Sequence, residues 1–135
     1  MSSNTRSYPY RQFMNVLCKP LEVIREKALA DACEHKWYNQ TLCKVNESVV
    51  RLGVVEGEYH WHQHDQDDEF FYVVEGHLLI DYRESPAAGV TNEHTIELRP
   101  REGVVIPKAM MHRPRAPQRT VLLMVETSGI VPTGS

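Results

Sequence analysis

Three histidines fall within five positions, His60, His62 and His64, in the segment Gly57-Glu-Tyr-His60-Trp-His62-Gln-His64-Asp-Gln-Asp-Asp-Glu69-Phe-Phe-Tyr-Val-Val-Glu-Gly76. On an extended chain alternate side chains share a face, so these three imidazoles point one way and Trp61 and Gln63 the other. Two imidazoles two residues apart can converge on one ion. Glu69 opens the next apolar run after a short acidic turn, and it reaches the same point from across a hairpin. His112, in Gly103-Val-Val-Ile-Pro107-Lys-Ala-Met-Met-His112, is a candidate fourth ligand. Imidazoles with one carboxylate suit Fe, Mn, Ni, Cu or Zn. Beside Asp65, Asp67 and Asp68 the histidines also fit a solvated turn. The joint spacing H-x-H-x4-E-x6-G is what singles out a metal.

Such ligands need a scaffold that fixes them. Short β-branched or aromatic runs follow Trp37: 49–55, 70–74, 77–82, 95–98, 103–106 and 120–125. Turn signals separate them at Glu56-Gly57, Glu75-Gly76, Ser85-Pro86-Ala-Ala-Gly89, Arg99-Pro100 and Arg113-Pro114. Most of the gaps are too short for a helix. That excludes βαβ winding and predicts an all-β antiparallel sandwich or barrel. Pro20 predicts the start of one helix over 21–35, with Leu21, Ile24, Ala28 and Ala32 on its packing face. The expected division is an arm over 1–19, a helix and lead-in over 20–48, a barrel over 49–126 and a loose tail over 127–135.

Composition narrows the partners. At 135 residues the chain is one domain, and 41% hydrophobic with 24% charged residues is a globular balance. A net charge of −3 leaves no basic excess for a nucleic-acid backbone. No apolar run is long enough for a membrane helix, and the first residues lack the apolar core of a secretory signal. Cys18, Cys33 and Cys43 are an odd number without C-x-x-C spacing, which predicts reduced thiols and a cytoplasmic location.

His62-x-His64-x4-Glu69-x6-Gly76 resembles the first motif of the cupin superfamily, and Gly103-x3-Pro107-x4-His112 resembles the second. Glu69-Phe-Phe-Tyr-Val-Val-Glu-Gly76 and Ile106-Pro-Lys are similar to the small single-domain bacterial cupins described as mannose-6-phosphate isomerase-like. The resemblance covers about 49–126. It implies a double-stranded β-helix, or jelly roll, with a short N-terminal helix and a divalent transition metal at the barrel mouth held by His62, His64, Glu69 and His112. One or two coordination positions would stay open to water or substrate.

In that frame Phe71 and Val73 line the interior as core, Tyr82 and Arg51 are pocket candidates, and His60 sits deeper than His62, beside the metal but not on it. Two positions depart from the motifs: Ala109 replaces the usual glycine, so the turn geometry is expected to differ, and Gly57 stands one residue nearer the first histidine. A homodimer is expected, with Trp61, Phe70 and an aromatic arm (Tyr8, Tyr10, Phe13) needing cover. Three functions remain open for this small-molecule site. They are an isomerase, epimerase or lyase acting on a sugar or other polar metabolite, an iron-dependent dioxygenase, and a non-enzymatic metal- or ligand-binding module.

Overall fold

The computed structural model describes residues 9–84 and 92–134. Tyr8 and the expected turn at Ser85 to Gly89 lie outside them. The elements in chain order are β1 (Arg11–Phe13), α1 (Glu26–Asp31), β2 (Trp37–Val45), β3 (Ser48–Glu58), β4 (Glu69–Glu75), β5 (Leu78–Glu84), β6 (Asn92–Leu98), β7 (Gly103–Ile106) and β8 (Met111–Thr127). One sheet runs β1-β2-β3-β8-β4-β7, and β5 joins β8 while carrying β6 on its far side. Every pairing is antiparallel except β1 on β2. Among the described residues no pairing closes the sheet on itself, so the jelly roll is a folded-over sheet rather than a complete barrel.

β8 is the spine. Its first residues pair with β5 and its later ones with both β3 and β4. Alternation then builds the interior. Glu69, Phe71 and Val73 of β4 are buried while Phe70, Tyr72 and Val74 are half-exposed. Phe71, Val73, Leu78, Ile80, Val55, Leu122 and Met124 form one core with Trp37 and Tyr59. The run 49–55 does not alternate because β3 is buried on both faces. Its other face, Leu52 and Val54, packs with Leu42, Val121 and Ala30 of α1. Each fully buried aliphatic side chain here contributes about 1.5–3 kcal/mol.

Four expectations change. The helix is only six residues long, because Pro20 serves a turn instead of a helix start: Glu22 N donates to Lys19 O at 3.1 Å and Leu21 takes φ 73°. Proline followed by a positive φ is the pattern of a type II turn. Trp37–Val45, read as lead-in, is a strand. Arg113-Pro114 is no turn but part of β8, and the chain reverses earlier, around Pro107–Met110. The expected loose tail is packed down, with Ser128 N donating to Glu47 O at 2.8 Å and Ile130 only 5% exposed.

Candidate metal centre

The segment between β3 and β4 is irregular rather than a strand, and only His62 makes a bridge, to His112. Both backbone bonds of that bridge form, His62 N to His112 O at 3.0 Å and His112 N to His62 O at 2.8 Å. This clamps the first motif to the start of β8. Glu69 enters from the first position of β4, and Ala109 N donates to His64 O at 2.7 Å, tying the turn before β8 to the third histidine. Ala109 holds φ 64°, so the alanine keeps the positive φ a glycine would supply.

One ligand atom each from His62, His64, Glu69 and His112 lies within 4.8 Å of the other three, and all four residues are buried. Glu69 Oε1 is 3.3 Å from His112 Nε2 and 3.6 Å from His64 Nε2. His64 Nε2 is buried without a hydrogen bond, a state that is costly unless another group satisfies it. The Nδ1 of His62 and of His112 each donate to a backbone carbonyl, of His60 at 3.1 Å and of Met110 at 2.9 Å. A carbonyl can only accept, so the proton sits on Nδ1 and the Nε2 lone pair faces the cluster.

Burial, with His112 adding to it, pushes the His62 imidazole down to about 3, so it is neutral and able to ligate at ordinary pH. Burial alone would raise Glu69, but the polar groups of His112, His64 and Glu126 beside it outweigh burial and hold the carboxyl well below the usual carboxylate range. Three imidazoles and one carboxylate around a common point can hold a divalent transition metal.

The other singled-out residues lie around this cluster. His60 is not in it. Its ring stacks on Tyr59 at 4.5 Å, its Nε2 donates to Thr133 O at 2.7 Å, and its Nδ1 is 3.3 Å from the Tyr10 hydroxyl. It is half-buried between the two terminal segments, not deeper than His62. Tyr82 lies opposite His112 across β5 and β8, with its ring stacked on His94 at 5.2 Å. Arg51 points inward, 1% exposed, with Nη1 2.7 Å from Glu126 Oε1. Trp61 is covered within its own chain by Arg83, 3.8 Å above the ring, and by Arg113. Phe70 lies beside Tyr72 and over Gly103.

Glu126 was missed in the sequence. The signal was an acidic residue directly after the apolar run 120–125, at the same parity as inward Leu122 and Met124. Burial first, then the neighbouring Glu69 carboxylate, push its carboxyl far above the usual range.

A pocket of about 400 Å³, partly open to solvent, adjoins His62 and Glu69. Trp37, Val55, Tyr59, Phe71, Leu122 and Met124 wall it, with Asn39 as a further polar contact and Pro132 from the C-terminal segment. Tyr59 stays protonated because burial pushes its hydroxyl up, and that hydroxyl accepts from Gln12 Nε2 at 2.7 Å.

Comparison with known proteins agrees with this geometry. YdbB of Bacillus subtilis, an uncharacterised protein, is 40% identical over 99 residues, which is 73% of this chain and 80% of that one. A cupin-2 domain containing protein from Shewanella frigidimarina superposes with TM-score 0.68 at 30% identity, over 78% of this chain and 94% of that one. Hydroquinone 1,2-dioxygenase PnpCD, in complex with Fe3+, superposes with TM-score 0.69 at 16% identity over 80% of this chain and 33% of its own, a likeness of fold alone. With residues 48–126 matching the Cupin domain family, this chain belongs to the cupins.

Proposed function

We propose that this cupin is a metal-dependent enzyme of the dioxygenase type, acting on a small, largely apolar, ring-bearing metabolite at the His62, His64, Glu69 and His112 cluster. The observation that carries the reading is the wall of the adjoining cavity. His62 and Glu69 meet it on one side, and aromatic and aliphatic side chains form nearly all the rest. A flat apolar ligand is recognised by such a wall, and one oxygen substituent on it would face the metal. A redox-active metal supplies dioxygen activation. Glu69 provides the anionic ligand, the Nε2 atoms of the three histidines complete the set, and Trp37, Phe71 and Met124 exclude water from the ligand's far side. The hydroquinone 1,2-dioxygenase shares the fold, and its name describes a reaction on an aromatic ring.

The second reading is an isomerase, epimerase or lyase on a sugar or other polar metabolite. A polar cleft favours it, lined by His64, Gln66, Asp67 and residues 129–131 and 134. The narrower mannose-6-phosphate isomerase-like reading requires a cation for phosphate. Arg51 is committed to Glu126 and to the Ile130 carbonyl.

The test is oxygen uptake by protein reconstituted anaerobically with Fe(II), given mono- and dihydroxylated aromatics and, separately, aldoses and ketoses. Uptake with an aromatic, abolished in His62→Ala, is expected. Turnover of a sugar by zinc-loaded protein without oxygen uptake would establish the second reading instead. Stable metal with neither activity would leave a binding module.

We propose the homodimer on the arm alone, without Trp61 and Phe70. Trp61 and Phe70 are covered within the chain, whereas Phe13, Met14, Val16, Leu17, Leu21 and Val23 are exposed. Light scattering should return twice the chain mass at micromolar concentration, and a single-chain mass would refute the dimer. The three free thiols support a reducing, cytoplasmic setting. Among the described residues no helix is long and apolar enough to cross a membrane.

A further inference from the structure

Arg51 and Glu126 are 1% and 3% exposed, and the cluster described above uses neither as a ligand. Taking a guanidinium out of water costs several kcal/mol, and its polar partners offset this only in part. Their connections show what the pair is placed to do. Glu126 follows Val125, the partner of Phe70 in the β4–β8 register, so its buried carboxyl lies beside that of buried Glu69, whose Oε1 faces His64 and His112. Arg51 Nη1 meets Glu126 Oε1 at 2.7 Å, and Arg51 Nη2 donates to the Ile130 carbonyl at 3.0 Å. The planar guanidinium thus bridges the acid behind the metal ligand and the C-terminal segment, which a point-charge ammonium cannot do with the same geometry.

That segment lies against the site. Ile130 is buried, Pro132 walls the cavity, and the Thr133 carbonyl accepts from His60. Gly134 packs so closely on His62 that an added Cβ would stand 2.9 Å from the His62 Cβ.

We propose that Arg51 and Glu126 are positioning residues that couple occupancy of the metal cluster to the seating of residues 128–134. A cation at the cluster fixes Glu69, Glu69 fixes Glu126, and Arg51 carries the constraint to Ile130. The inference rests on the metal reading of the preceding section. Coupling between two sites is reciprocal, so a seated segment strengthens metal binding by the factor with which metal stabilises the seated segment. Because Pro132 is part of the cavity wall, the coupling also sets how open the cavity is to a ligand.

The experiment pairs amide hydrogen exchange with cobalt(II) titration of the full chain. In the wild type, cobalt should slow exchange at Ser128, Ile130 and Gly134 at least about tenfold. Glu126→Gln and Arg51→Met should weaken cobalt binding about 10–100-fold and abolish the metal-dependent slowing, while circular dichroism still reports a cooperative fold. Cobalt affinity equal to wild type in both variants overturns the proposal. So does exchange at 128–134 that ignores cobalt in the wild type, a result that stands even if a variant does not fold. Failure of the wild type to bind cobalt overturns the metal reading itself, and is distinct from binding without coupling.

Discussion

His62 and His60 are joined through a ring nitrogen and a main-chain oxygen: Nδ1 of His62 donates to the His60 carbonyl, 3.1 Å away. Pro114, in the β8 segment alongside, has no N–H to offer that carbonyl. Its own carbonyl accepts from Tyr59 N at 2.9 Å. The local backbone therefore sets the His62 tautomer, and His60 serves the site through its main chain while its side chain binds Tyr10 and Thr133.

His60→Ala should consequently keep metal content near wild type, because the carbonyl survives the substitution. His62→Ala and His64→Ala each remove an Nε2 lone pair from a cluster whose donor atoms lie within 4.8 Å of one another. Each should weaken cobalt(II) or zinc binding at least about a hundredfold. Titration with a competing chelator measures this. Loss of metal in His60→Ala together with retention in His64→Ala would reassign the ligand pair to His60 and His62.

The sequence carried the four clustered residues more clearly than the frame around them. His62, His64, Glu69 and His112 were legible because coordination demands particular residue types at a restricted spacing. β4 was legible because burial of one face writes a period of two into 69–75. Alternation failed for His60 because residues 59–68 are not a strand, so parity does not fix where a ring points. Pro20 and Pro114 each carry a local preference that fits two structures, helix start or turn in one case, turn or strand in the other. For Pro114 the long-range pairings of β8, which no sequence window contains, decide; for Pro20 the local turn closed by Glu22 N and Lys19 O does. The seating of the tail on Arg51 and His60 is of the same kind, joining residues 79 and 73 positions apart.

Asp81 gives a pH-dependent prediction away from the metal. It is 2% exposed on β5. Burial alone would raise its carboxyl, but hydrogen bonds from Arg115, Thr95 and Arg113 outweigh it and hold the group at about 2. A carboxyl depressed in the folded state stabilises above its unfolded value of about 3.9, and that contribution disappears as pH falls toward 2. Arg113 and Arg115 are partly solvated, which limits the effect to about 1–2 kcal/mol. Asp81→Asn should lower the urea midpoint at pH 6 to 7, and the gap to wild type should narrow steadily from pH 4 to pH 2. A gap that stays constant across that window would show that the depressed ionisation is absent.

Ala109 tests the turn that delivers His112. Its φ of 64° places an L side chain in the left-handed region, at a cost of about 1–2 kcal/mol. Glycine removes that strain but gives the unfolded chain more freedom, worth about 0.4–1 kcal/mol in the opposite direction. Ala109→Gly should therefore stabilise by about 0.5–1 kcal/mol, a rise in Tm of about 2–5 °C for a chain of this length. The Ala109 N–H that donates to His64 O at 2.7 Å is untouched, so zinc or cobalt affinity should stay within about twofold of wild type. Ala109→Val should go the other way, because a β-branched residue tolerates positive φ worst. It should lower Tm and, by pulling the turn off His64, weaken metal binding as well. Differential scanning calorimetry of both variants, with metal titrations alongside, checks the pair. A glycine variant less stable than wild type would mean that this turn does not hold residue 109 at positive φ, and with it would fall the account of how His64 and the start of β8 are locked together.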